Sequence, residues 1–81
     1  MNLFQMTIAY SVAEPGQVNL TVYNVMGRRV RTLLDQEKKA GQYTVQWNGT
    51  DQNGRLVGTG LYFIRIEAGD FVKTRKMMLL K

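Results

Sequence analysis

Hydrophobic and polar residues alternate along most of this chain with the two-residue period of β-strands. Over Met6–Val12, Ile8, Tyr10 and Val12 take one face while Thr7, Ala9 and Ser11 take the other. Gln17–Val25 repeats the pattern, with Val18, Leu20 and Val22 inward and Asn19, Thr21 and Tyr23 outward. Glu14-Pro15-Gly16 lies between them and predicts a turn, because proline presets one turn position and glycine permits the next. The first two strands are therefore expected to form a hairpin. After Met26-Gly27 the alternation resumes over Arg29–Leu34, with Val30 and Leu33 inward. Asp35–Gly41 is polar and carries Lys38-Lys39, which predicts an exposed loop, with a single helical turn as the alternative.

The second half begins with a strand over Gln42–Trp47, on which Tyr43, Val45 and Trp47 share a face. Asn48-Gly49 and Asn53-Gly54 follow, both signals for tight hairpin turns, since Asn and Gly accept φ > 0. Leu56-Val57 reads as a very short strand before Gly58 and Gly60. Leu61–Ala68 places Tyr62, Ile64 and Ile66 opposite Phe63, Arg65 and Glu67. Gly69-Asp70 turns the chain into Phe71–Leu80, where Lys73, Arg75 and Met77 share a face. Met77–Leu80 is apolar on both sides, which predicts cover on both faces or a phase-shifting bulge.

Six strands, or seven with Leu56-Val57, and no amphipathic helix define an all-β chain. The expected fold is an immunoglobulin-like two-sheet antiparallel β-sandwich of six to seven strands. An oligonucleotide-binding barrel is the rival, but no segment supplies the helix that usually plugs one. At 81 residues the chain is expected to be a single domain over 1–81, with 1–5 as a flexible or trimmed linker. Trp47 ends an inward alternation and is expected in the core near Tyr10, Tyr43 and Tyr62.

Candidate chemistry narrows quickly. The chain has no cysteine and no histidine, which removes thiol nucleophiles, disulfides, Cys/His zinc sites and the commonest general base. Its six carboxylates fall mostly in turns and form no acid/base pair, so no enzyme, cofactor or metal site is expected. Asp51-Gln52-Asn53-Gly54 opens like a calcium loop. However, Arg55, Leu56 and Tyr62 stand where such a loop needs an oxygen ligand, a glycine and a bidentate carboxylate. The net charge is +5, concentrated in Arg28-Arg29-Arg31 and Lys73-Arg75-Lys76. Single-strand nucleic-acid binding would need Phe63 and Phe71 outward on one face beside Arg65, Lys73 and Arg75. The expectation is instead a solvated basic face with no specific nucleic-acid partner, its lysines blunting a sheet edge. No apolar run is long enough to span a bilayer, and residues 1–12 lack a signal-peptide layout.

Several segments carry a family resemblance through their order. They are Thr7-Ile8-Ala9-Tyr10-Ser11, Val22-Tyr23-Asn24-Val25-Met26-Gly27-Arg28 and Ala40-Gly41 through Trp47-Asn48-Gly49. Asp51, Gly54, Gly60-Leu61-Tyr62-Phe63, Glu67-Ala68-Gly69-Asp70-Phe71 and Lys76-Met77-Met78-Leu79-Leu80-Lys81 complete the set. The chain thereby resembles the Ig-like C-terminal domains of bacterial exported proteins, a group that joins type IX secretion sorting domains and the Ig-like domain of the flagellar hook-capping protein. It departs from the sorting domains in having Asn2-Leu3-Phe4-Gln5 in place of an Asn-Pro-Phe-Asn-Pro start, and Trp47-Asn48-Gly49 in place of Trp-Asp-Gly.

The resemblance implies a non-enzymatic module of an exported protein, attached to a larger cargo. As a C-terminal sorting domain it would be recognised by the outer-membrane secretion machinery in the periplasm and end at the cell surface or outside the cell. The segment read would be Lys76, Met77, Met78, Leu79, Leu80 and Lys81. Gly27, Gly41, Trp47, Gly49, Asp51, Gly54, Gly60 and Tyr62 would be its structural signature. The alternative is a self-assembly module whose partners are neighbouring copies, joined by strand-edge pairing through Met77–Leu80 or Met1–Met6. A plain structural role for the last strand also stands.

Overall fold

The computed structural model describes residues 5–80, so the expected linker (Gln5 apart), the Met1–Phe4 part of the candidate donor strand and Lys81 lie outside it. Six strands follow in order: β1 (Met6–Val12), β2 (Gly16–Asn24), β3 (Arg29–Lys38), β4 (Gly41–Trp47), β5 (Gly60–Ala68) and β6 (Phe71–Leu79). They form two antiparallel sheets, a small one of order β1-β4 and a larger one of order β3-β2-β5-β6.

The inward residues of the alternation meet between the sheets. Ile8, Tyr10 and Val12 of β1 join Val18, Leu20 and Val22 of β2, Tyr62, Ile64 and Ile66 of β5, and Trp47, Met77 and Leu79 in one buried cluster. Leu20, Val22, Ile64 and Leu79 are fully enclosed, each worth about 1.5–3 kcal/mol on transfer from water. The central strands β2 and β5 carry the deepest residues because the small sheet lies across them.

The expected hairpin of the first two strands does not form. β1 pairs with β4, in register from Met6↔Trp47 to Val12↔Gly41, and β2 pairs with β3 and β5. Both β1 and β2 send their apolar face into the same core. Ala13–Pro15 therefore carries the chain from one sheet to the other as an arch, which also suits Pro15, a residue with no N–H for a ladder. Alternation alone specifies which face is buried, but it does not specify which neighbour is paired.

The predicted loop after Leu34 is strand as well: β3 continues to Lys38, opposite Gly16. Two register shifts, at Leu20/Thr21 and Val22/Tyr23, break the phase of β3. Val30, Leu33 and Leu34 are each left half-buried, and the end of the strand is polar because it lies at a solvent-facing edge. Leu56 makes only an isolated bridge, to Thr50, so Leu56-Val57 is not a seventh strand.

β6 stays in unbroken register with β5 from Phe71↔Ala68 to Leu79↔Gly60. No bulge shifts it, and its end is covered on one face only: Met77 and Leu79 are buried, whereas Met78 and Leu80 are exposed. Thr21, expected outward, is buried, and its hydroxyl donates to Asn19 Oδ1 at 2.7 Å between the Thr32 and Arg65 positions of the neighbouring strands.

Candidate interaction surfaces

The crossing from β4 to β5 is the most heavily bonded connection in the fold. Trp47 is buried against the edge of the Tyr62 ring, with centroids 5.3 Å apart, and its indole N–H donates to Thr50 O at 2.9 Å. Tyr62 OH donates to Gly58 O, and Val57 N–H to Gly49 O. Asp51 spends its carboxylate on its own turn: Oδ1 accepts the amides of Asn53 and Arg55 at 2.9 and 3.0 Å. Gly54, at φ +82°, supplies the left-handed residue that closes this turn. Asn53-Gly54 thus makes a tight reversal as expected. Asn48-Gly49, by contrast, leads out of one sheet towards the other and makes no hairpin between β4 and β5. Among the described residues no cluster of acidic or other ligating side chains could hold a metal.

This connection also seals part of an edge. Gln52 N–H donates to Val30 O and Gln52 Oε1 accepts Thr32 N–H, both at 3.0 Å, so Gln52 takes the place of a neighbouring strand along the first half of β3. Arg31 Nη1 donates to Thr50 Oγ1 and Asp51 O at 2.7 and 2.9 Å. Neither role of Gln52 or Arg31 was visible in the residue pattern, because both depend on a contact across about 20 residues of sequence.

β6 is the opposite edge of the same sheet and, among the described residues, pairs only with β5. Arg75 reaches across to the small sheet, where Nη2 donates to Ala9 O on β1 at 2.5 Å. Of the segment proposed for recognition, Met77 and Leu79 are core, while Lys76, Met78 and Leu80 face solvent. The aromatics considered for nucleic acid do not gather on one face. Register puts Phe63 and Arg65 on the outer face of the larger sheet, while Phe71, Lys73 and Arg75 alternate onto the other. The remaining signature residues are spread out: Gly27 turns β2 into β3 at φ +79°, and Gly41 and Gly60 open β4 and β5.

Tyr10 and Tyr43 stack at 5.5 Å within the β1-β4 sheet, away from Trp47, and Lys38 Nζ lies 4.8 Å from the centre of the Tyr43 ring. Of the tyrosines expected near Trp47, it is Tyr62 that packs on it. Burial raises the Tyr10 phenol above its usual value, and the neighbouring Tyr43 adds to the effect.

The two ends of the sandwich differ in charge and shape. At one end the β2–β3 turn exposes Val25 and Met26, 65% and 72% accessible, beside Arg28 and Arg29. At the other, the Ala13–Pro15 arch and the Gly69-Asp70 turn enclose a cleft of 620 Å³ with Val12, Ala68 and the exposed Phe71 in its wall and Glu14 and Asp70 among its lining residues. Asp35, Glu37 and Glu67 lie on the strands at this same end, so only Asp51 of the six carboxylates lies away from it; Lys38, Lys39 and Lys73 stand at this end too, fewer than the five carboxylates.

Two antiparallel sheets facing across a shared core, with no helix among the described residues, place this chain among immunoglobulin-like β-sandwiches. Within that class it belongs to the FlgD Ig-like domain family, whose model matches residues 4–71. The crystal structure of FlgD from P. aeruginosa superposes with a TM-score of 0.74 at 19% identity, covering 96% of this chain and 61% of that chain. The likeness is one of fold, and the chain spans less than two thirds of that relative's length. No curated protein matches the chain.

Proposed function

We propose that this chain is a non-enzymatic structural module of an exported assembly, which joins neighbouring copies of itself through its sheet edges. The observation that carries this reading is the edge of β6, which has no strand partner along Phe71–Leu79 among the described residues, while the opposite edge of the same sheet is partly sealed. An unpaired edge offers main-chain donors and acceptors to a strand added from a neighbouring copy; β6 against β6 closes on a pair, and β6 against an unlike edge extends into a polymer. Membership of a family named for FlgD supports an assembly role and a non-catalytic one. Sedimentation velocity over a wide range of concentration tests it: concentration-dependent species of dimer size or larger are expected, and a monomer throughout would overturn it.

The sorting role is the second reading, favoured by the exposure of Met78 and Leu80 on that open edge. Deleting Lys76–Lys81 would be a poor test, because it removes the core residues Met77 and Leu79. Substituting Met78 and Leu80 with lysine in a cargo fusion leaves the core intact. Cargo retained in the periplasm supports sorting, and normal export of the folded variant counts against it.

A further inference from the structure

The two ends of the sandwich fit one another. We infer that copies of this chain also meet end to end, the Val25-Met26 turn of one seating in the cleft between the Ala13–Pro15 arch and the Gly69-Asp70 turn of the next. This rests on the self-assembly reading and adds to it a second, distinct contact.

The turn is a short apolar knob. Its conformation is fixed from within: Asn24 Oδ1 accepts the amides of Met26 and Arg28 at 2.9 and 3.0 Å, and Gly27 N–H donates to Asn24 O at 3.0 Å. A knob held this way gives up little conformational freedom on docking. Val25 and Met26 project from it uncovered, though both are large enough to have been buried had the fold needed them. Methionine is also the side chain best able to fill an irregular apolar cleft.

The cleft supplies what the knob lacks. Its apolar wall includes Val12, Ala68 and Phe71, the last 55% exposed. Glu14 and Asp70 belong to the two turns that form it, and Arg28 and Arg29 flank the knob. Lys38, Lys39 and Lys73 also lie at the cleft end but outside its lining, so the charges that face the knob are the two carboxylates, and charge complementarity selects a second copy in one orientation. Knob against knob would bring four arginines together, and cleft against cleft would bring four carboxylates together.

Position does the rest. β2 runs from the arch to the turn, so its nine residues place knob and cleft at opposite ends of the domain, roughly 30 Å apart at the usual strand rise. A contact between unlike surfaces at opposite ends cannot close on a pair. It continues from copy to copy.

The lack of cysteine gives a clean test. Met26→Cys and Ala13→Cys both fall at exposed positions, one on each surface. With a short bismaleimide linker, the doubly substituted chain should give a ladder of cross-linked species. A mixture of the two single variants should give one heterodimer, and neither single variant should cross-link to itself. A chain that stays uncross-linked, or Met26→Cys alone forming dimers, would overturn the inference. Arg28→Glu should weaken association about two- to fivefold, the usual range for an exposed ion pair, and Glu14→Arg in the same chain should restore it. The two readings fail separately. Large species in sedimentation without a ladder would leave assembly through the edges standing and remove the end contact, whereas a monomer throughout would remove both.

Discussion

β3 and β6 are the two edges of one four-stranded sheet, and the fold treats them differently. Along the first half of β3, Gln52 supplies a donor and an acceptor where a strand would be, and Arg31 ties the same region to Thr50 and Asp51. Along β6 no backbone group of a loop among the described residues plays that part, and the strand carries the cations Lys73, Arg75 and Lys76 as its guard. A sealed edge needs no lysine, and a lysine-lined edge can still be paired by a partner that brings acidic groups. The contrast explains why the Asn48–Thr59 connection is so heavily hydrogen-bonded. It acts as a substitute strand for one edge while leaving the other available.

The largest effect on this contrast comes from Trp47. Its ring anchors the connection through Tyr62 and Thr50 O. Trp47→Ala should cost about 3–5 kcal/mol, the range for large aromatic truncations in cores. Denaturant unfolding measures the loss, and a change below about 1 kcal/mol, typical of a surface substitution, would mean that the connection holds itself without its anchor.

Gln52→Ala should act more locally, at about 0.5–1.5 kcal/mol for a hydrogen bond lost at a partly exposed site. The sharper readout is hydrogen exchange. The Thr32 amide, bonded to Gln52 Oε1 at 3.0 Å, should exchange slowly in the parent and quickly in the variant. Equal rates would mean that solvent already reaches this edge, and the two edges would then be alike.

How far the sequence alone discloses these edges depends on the physics involved. Burial follows a two-residue period, so the inward set of β1, β2 and β5 was legible residue by residue; of the family resemblance, the hook-capping Ig-like part is matched and the sorting-domain part is not. Pairing partners were not. Glu14-Pro15-Gly16 suits a hairpin and an arch equally well, and only the competition of two apolar faces for one core decides between them. The end of β3 was unreadable for a different reason. Asp35–Lys38 makes an edge strand out of residues that would serve equally well in a loop, after two register shifts have broken the phase. The apolar run Met77–Leu80 suggested cover on both faces because hydrophobicity marks what can be buried. Exposed Met78 and Leu80 show that part of it is not buried within this chain. Gln52 and Arg31 carried no signal at all, since neither residue type nor spacing reveals a bond across the fold.

A smaller effect should appear in alkali, in the small sheet, where Tyr10 stands on β1. Folding raises the Tyr10 phenol above its usual value of 10.0 through burial, with Tyr43 contributing. Its neutral form is thus the one the fold favours. The stabilisation is complete below the unfolded value and is lost as pH rises through the folded one, because the unfolded chain ionises first. Tyr10→Phe should remove this part of the alkaline loss, seen as a flatter stability curve above about pH 10. Tyr43→Phe should lessen it by removing the neighbour that adds to the Tyr10 shift. A slope unchanged in Tyr10→Phe would place the alkaline sensitivity elsewhere.

The smallest expected effect is the most telling for the comparison. Met78 is 54% exposed on the outer face of β6, opposite Leu61 in the ladder. Met78→Lys should change stability by no more than about 0.5 kcal/mol, as surface substitutions usually do. If β6 is the edge that joins copies, the same change should reduce association measurably, since it adds another cation to a strand that already carries Lys73, Arg75 and Lys76. The corresponding charge on the β3 side, Thr32→Lys, should leave association unchanged, because Gln52 already occupies that edge. A variant pair that behaved the other way round would show that copies meet along β3, and that Gln52 moves aside to admit them.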